Sequence, residues 1–155
     1  MTQLHIREDD VSGPDIRALV ALHLAGMQAN NPPDKVHALP VAALRAPGVT
    51  FYSAWAGETL AGMGAIRHLE ADHGELKSMR VAPAFLGQGV GEAMLRHLLD
   101  VARTRGYARV SLETGRGAAF EPATALYRKY GFVACPAFAD YVPDDFSQCL
   151  TLELA

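Results

Sequence analysis

Glu75-Leu-Lys-Ser-Met-Arg-Val-Ala-Pro-Ala-Phe-Leu-Gly-Gln-Gly-Val-Gly91 is the stretch on which the reading of this chain turns. Its first part, Glu75 to Val81, reads as a strand, with Lys77 and Arg80 set among apolar residues and Lys77 expected to face solvent. Its last part, Leu86-Gly87-Gln88-Gly89-Val90-Gly91, carries little side-chain bulk and runs into Val90, Ala93, Met94, Leu98, Val101 and Ala102 at helical spacing. A glycine loop between a strand and the first turn of a helix gathers bare N–H groups at the positive end of the helix dipole, which suits a phosphate. The same glycines would also serve a tight strand-to-helix turn and nothing more. Two other phosphate motifs are excluded. A Walker loop ends in Gly-Lys-Ser/Thr, whereas Gly91 is followed by Glu92-Ala93. A dinucleotide fingerprint has the spacing G-x-G-x-x-G near the start of several βαβ units, and this loop has G-x-G-x-G and comes late.

Working outward, Gln3 to Arg7 reads as a strand, and Ser12-Gly13-Pro14 opens a helix whose inner face carries Ile16, Leu19, Val20, His23 and Leu24. Asn30-Asn31-Pro32-Pro33 ends that helix, and a shorter one reaches about Arg45. Thr50–Ala56 and Thr59–His68 form a hairpin about Ala56-Gly57-Glu58, with Glu75–Val81 the next strand of the meander. Gly89 to Arg105 is a helix closed by Gly106, and Val110–Glu113 a strand, so one right-handed crossover makes Glu75–Val81 and Val110–Glu113 parallel neighbours. A helix from Pro122 to Tyr130 and a terminal antiparallel pair, Phe132–Cys135 and Gln148–Glu153, complete a single-domain mixed α/β fold without repeats over residues 1–155.

Composition narrows the function. Half the chain is hydrophobic and a fifth is charged, an ordinary globular balance. Fourteen Lys plus Arg against 17 Asp plus Glu give a net charge of −3, without the basic surplus that draws a domain to nucleic acid or to an anionic membrane. Neither a secretory start nor an apolar run of membrane-spanning length is present, and Cys135 and Cys149 match neither a zinc spacing nor a disulfide framework. A cytoplasmic location is expected. Cys135 and Cys149 lack the helix-start or basic setting that activates a thiol, so both are expected in or near the core. His68, Asp72 and His73 lack a further ligand at metal spacing, and no metal is expected.

The Glu75–Gly91 run, followed by Ala125-Leu-Tyr-Arg-Lys-Tyr-Gly-Phe132, resembles the acetyl-CoA-binding core of the GNAT superfamily of N-acetyltransferases, as in its small bacterial members. The two blocks stand in the order and at the separation of that superfamily, and the element order upstream agrees. The resemblance implies a GNAT-type fold, mostly antiparallel with one parallel strand pair. It implies acetyl-CoA as cosubstrate, with the pyrophosphate on the amides of Leu86, Gly87, Gln88, Gly89, Val90 and Gly91, and the pantetheine arm against Met79, Arg80 and Val81. Leu86 departs from the polar or cationic residue that opens the superfamily loop, so weaker CoA binding is expected.

Acyl transfer to an amine requires a neutral amine, a donor to the carbonyl oxygen and a proton source for the thiolate. Tyr127 matches the tyrosine that the superfamily places beside the CoA sulfur; a helix tyrosine packed on the sheet is the plainer reading of the same residue. Glu75 is the first choice for the base, as in some superfamily members, against an exposed strand-end carboxylate, with Glu113 second and His73 third. A main-chain N–H near Met79 or Arg80 is the expected donor to the carbonyl oxygen, provided the strand is splayed there. Acceptor recognition is assigned to the Asn30–His37 loop, the Glu70–His73 turn and Phe138–Tyr141, with His37, Asp140 and Tyr141 as candidates. The expected activity is direct transfer of acetyl to a primary amine of a small molecule or amino acid in a ternary complex, with a protein lysine or N-terminus, or a non-catalytic acyl-CoA-binding module, as alternatives. The terminal strands leave a homodimer open.

Overall fold

The computed structural model describes residues 3–32, 39–139, 141–142 and 144–154. In chain order the elements are β1 (Leu4–Glu8), α1 (Pro14–Asn30), α2 (Val41–Leu44), β2 (Val49–Ala56), β3 (Thr59–Glu70), β4 (His73–Val81), α3 (Val90–Thr104), β5 (Arg109–Gly115), α4 (Glu121–Lys129), β6 (Val133–Cys135) and β7 (Ser147–Glu153). The strands form one sheet in the order β1-β2-β3-β4-β5-β7-β6, antiparallel except for the β4/β5 pair.

Periodicity explains which element covers which face. Along α3, Val90, Met94, Leu95, Leu98, Leu99 and Ala102 recur every three or four residues. That stripe meets Ile66, Leu76, Val110, Leu112 and Leu150 on one side of the sheet. On the other side, Ile16, Leu19 and Val20 of α1 pack on Phe51, Met63 and Ala65. Close approach of α3 requires Gly64, where a Cβ would stand 2.7 Å from Met94 Cγ.

Two irregularities in β4 position the site. Its parallel pairing with β5 spans only His73↔Arg109, Gly74↔Val110 and Glu75↔Ser111. The overlap expected between Glu75–Val81 and Val110–Glu113 is therefore mostly unpaired, because the two strands part after Glu75. The register with β3 also shifts: Ala65 opposes Lys77 and Met63 opposes Arg80, so one extra residue of β4 is accommodated there. The backbone at that point is left-handed at Ser78, φ 57°. Strict alternation would send residues 77 and 80 to opposite faces. With the bulge, Leu76, Met79 and Val81 all join the core under α3. The Arg80 guanidinium reaches the opposite side, where both terminal nitrogens lie 3.0 Å from the position a Cβ on Gly26 of α1 would occupy.

Candidate active site

The glycine loop has the backbone of an open cradle. Gly87 (φ 75°) and Gly89 (φ 83°) are left-handed, and a Cβ on either would meet nothing within 4 Å. Gly89 caps α3, whose first-turn N–H groups have no side-chain cap. Gln88 does not project into the cradle but turns back to donate to the Ala84 carbonyl at 3.1 Å. Leu86, 66 % exposed, brings no charge of its own to the cradle.

From this loop a cavity of about 530 Å³ runs between β4 and α4, lined by Met79, Val81, Gly87, Val90, Leu126 and Tyr127 among others. A second, smaller cavity of about 220 Å³ opens where β4 and β5 part. Its walls include His23, Met27 and Asn30 of α1, Asn31 just beyond it, Lys77 to Arg80 of β4, Glu113 of β5, and Tyr127. Met79, Arg80, Ala119, Ala123 and Tyr127 line both cavities, so the two meet at these residues.

Tyr127 stands at that junction. It is 9 % exposed, its ring packs 5.7 Å from that of Phe132, and its hydroxyl makes a long 3.8 Å contact to Met79 Sδ. Burial pushes the phenol up to about 12, so it holds its proton throughout the neutral range. The other tyrosine of the motif, Tyr130, serves the surface of α4 and donates to Glu92 at 2.6 Å.

Glu75 occupies a different setting from the exposed strand end that was its plainer alternative. It is fully buried and lines neither cavity. Its Oε2 accepts from Lys77 Nζ at 3.2 Å and from Tyr141 Oη at 2.5 Å, and Arg67 Nη1 lies 3.6 Å from Oε1. Lys77, expected in solvent, has a side chain only 8 % exposed and also donates to Tyr141 at 2.6 Å. Tyr141 closes this network rather than the acceptor cleft, and burial, with the Glu75 charge beside it, raises its phenol. Glu113, the second candidate base, does line the cleft.

His73, the third, is 3 % exposed and bonded to Ser111 Oγ at 2.7 Å, and burial lowers its pKa. It lies six positions before Met79, about 20 Å along an extended strand. With Glu70, Phe138 and Ala139 it borders a separate hollow. Of the expected acceptor segments, only Asn30 and Asn31 reach the cleft among the described residues; His37 and Asp140 lie outside those residues. Cys149 is buried and its thiol is raised to about 11 by that burial, and desolvation raises Cys135 too, so neither is an activated nucleophile. Among the described residues no His/Cys/Asp/Glu cluster could hold a metal, and no helix is long and apolar enough to cross a membrane.

The contribution of α1 to the cleft was not legible in the sequence. His23, Met27 and Asn30 or Asn31 recur at helical spacing, and His23 was already on the inner face of that helix. Nothing local showed that the C-terminal part of this face overlooks a gap in the sheet.

The chain belongs to the acetyltransferase (GNAT) family, which it matches over residues 16–132. It is thus an acetyl-CoA-dependent N-acyltransferase. Two relatives align over nearly their whole length. The uncharacterized N-acetyltransferase YedL of Escherichia coli K12 is 51 % identical over 149 residues, 96 % of this chain and 94 % of the relative. The uncharacterized N-acetyltransferase YsnE of Bacillus subtilis 168 is 46 % identical over 151 residues, 97 % of this chain and all of the relative. A crystallised Klebsiella pneumoniae protein described as an acyl-CoA N-acyltransferase superposes with TM-score 0.79 at 28 % identity, covering 99 % of both chains.

Proposed function

We propose that the chain transfers acetyl from acetyl-CoA to the amine of a small molecule, the two substrates meeting at Tyr127 in one ternary complex. The observation that carries this reading is the junction itself. The cavity from the glycine cradle and the cleft under α1 share Met79 and Tyr127, so a donor in one and an acceptor in the other would meet there. The cleft, at about 220 Å³, is smaller than the about 300–1,000 Å³ of sites for drug-sized ligands, which favours a small acceptor.

The residues fit acetyl-CoA. The open cradle at Gly87–Gly91 takes the pyrophosphate on main-chain N–H groups, and the unpaired edge of β4 from Met79 to Val81 takes the amide arm. Bound there, acetyl-CoA supplies an activated acyl group. The bulge leaves Ser78 and Met79 without partners in the β3 register, which suits a main-chain N–H near Met79 as donor to the thioester oxygen. Tyr127 holds a proton for the departing sulfur.

An amine acceptor arrives as its ammonium ion and must lose a proton before attack. Glu113 suits that role better than Glu75, because it lines the cleft while Glu75 is closed off by Lys77, Tyr141 and Arg67. Glu75 then acts as a positioning residue that fixes Lys77 in the cleft wall and Tyr141 behind it.

The test is release of CoA thiol from acetyl-CoA with a panel of small amines, repeated for Glu113→Gln and Glu75→Gln. Glu113→Gln should lower kcat by about 10²-fold or more with the fold intact. Glu75→Gln should mainly lower the melting temperature. If no amine promotes thiol release, the enzymatic reading of the cleft fails; if Glu75→Gln alone lowers kcat in a stable protein, the assignment of Glu113 fails.

A further inference from the structure

We propose that the acceptor is an amino acid, and that Arg80 is the residue that selects it, by pairing with the acceptor's carboxylate inside the cleft beneath α1. The inference rests on the reading of the cleft as the acceptor site.

Four observations converge on it. Arg80 lines the cleft, and among the described residues it forms no ion pair, unlike Lys77 and Arg67, which are both committed to Glu75. An unpaired guanidinium is a ready-made bidentate site for a carboxylate. The bulge at Ser78 brings Arg80 to this face; unbulged, residue 80 would lie on the face of Leu76. A glycine inside α1, Gly26, leaves room for the guanidinium where any Cβ would sit 3.0 Å from both nitrogens. Glycine is less favourable than alanine in a helix interior, and an added Cβ here would crowd the guanidinium.

The rest of the cleft matches the other parts of an amino acid. His23 is 7 % exposed and its Nδ1 is buried without a hydrogen bond, as is Ser78 Oγ. Both are neutral polar groups beside the cation, so each could complete the carboxylate's hydrogen bonds without adding opposing charge. Glu113 provides the negative group, matching the ammonium end of a zwitterion. The carboxylate held on the α1 side leaves the amine directed at Met79 and Tyr127, where the donor cavity joins.

Arg80 also stands near the C-terminal turn of α1, where a cation would favour the helix dipole regardless of any ligand. The experiment must therefore read specificity and not only stability. The twenty common L-amino acids and their α-carboxamides are compared as acceptors in wild type, Arg80→Gln and Arg80→Lys. In parallel, the N-acetyl derivatives of the same amino acids and of the same carboxamides are titrated calorimetrically into each protein in the presence of CoA.

In wild type, at least one amino acid should exceed its carboxamide in kcat/KM by about 30-fold or more, the usual worth of hydrogen bonds to a charged partner. Arg80→Gln should abolish that preference, and Arg80→Lys should restore part of it. Equal use of acids and carboxamides, or an acid preference that survives in Arg80→Gln, overturns the proposal. If nothing is acetylated, the enzymatic reading fails and the titrations decide the subsite: N-acetyl acids that bind wild type but not Arg80→Gln support it, and no discrimination between acids and amides refutes it.

Discussion

Replacing Tyr127 with Phe removes one hydroxyl, keeps the ring, and so isolates what the O–H does. Among the described residues that hydroxyl makes one polar contact, 3.8 Å to a thioether sulfur. Thioethers are weak acceptors, so the loss should stay below the about 1 kcal/mol of an ordinary hydrogen bond, and the melting temperature should fall by less than about 4 °C. The catalytic effect should be much larger. The phenol, at about 12, stands above the about 8.5 of an ordinary thiol, a gap of about 3.5 units that makes complete transfer uphill by about 5 kcal/mol. In the proposed mechanism Tyr127 would therefore act chiefly as a hydrogen-bond donor to the developing thiolate, with water completing its protonation. That places the loss near the lower end of acid catalysis, about 10²-fold in kcat. The assay is thiol release at saturating acetyl-CoA, together with calorimetric titration of acetyl-CoA, whose Kd should change by no more than about twofold because the cradle is untouched. A kcat within about threefold of wild type would refute the role assigned to Tyr127.

Leu86→Arg should tighten acetyl-CoA binding by about threefold to fivefold, the worth of an exposed ion pair near 1 kcal/mol, with the gain fading at high salt; titration at two ionic strengths checks it. Lys77→Met leaves Glu75 buried beside a single, more distant cation and should cost about 3–5 kcal/mol in urea denaturation, most of it regained in the Lys77→Met, Glu75→Gln double variant. Burial, reinforced by the Arg80 charge, lowers His23 to about 4 from the ordinary 6.5, so the unfolded chain takes up a proton that the folded chain refuses. That contribution is complete above about pH 6.5 and is lost as pH falls toward 4, up to about 3 kcal/mol, and His23→Gln should flatten this part of the stability profile measured by urea unfolding.

What the sequence made legible was local. The glycine loop, the helix after it and the helix closed by Gly131 each depend on neighbours within a few residues, and all lie where periodicity and turn chemistry placed them. What stayed hidden was non-local. Nothing in Lys-Ser-Met-Arg marks Ser78 as left-handed, and that one residue decides whether Arg80 faces the core of α3 or the cleft of α1. The partners of Glu75 include Tyr141, 66 residues away, so no reading of its own strand could show that its carboxylate is enclosed. The short β4/β5 pairing depends on the divergence of two strands, which alternating patterns do not encode.

The most direct measurement of the central claim is a crystal structure with CoA bound. The pyrophosphate should lie on the N–H groups of Gly87 to Gly91, the amide arm should run along Met79 to Val81, and the sulfur should come within hydrogen-bonding reach of Tyr127 Oη at the mouth of the α1 cleft. A CoA whose sulfur ends away from Tyr127, or whose pyrophosphate lies off the glycine loop, would contradict the account.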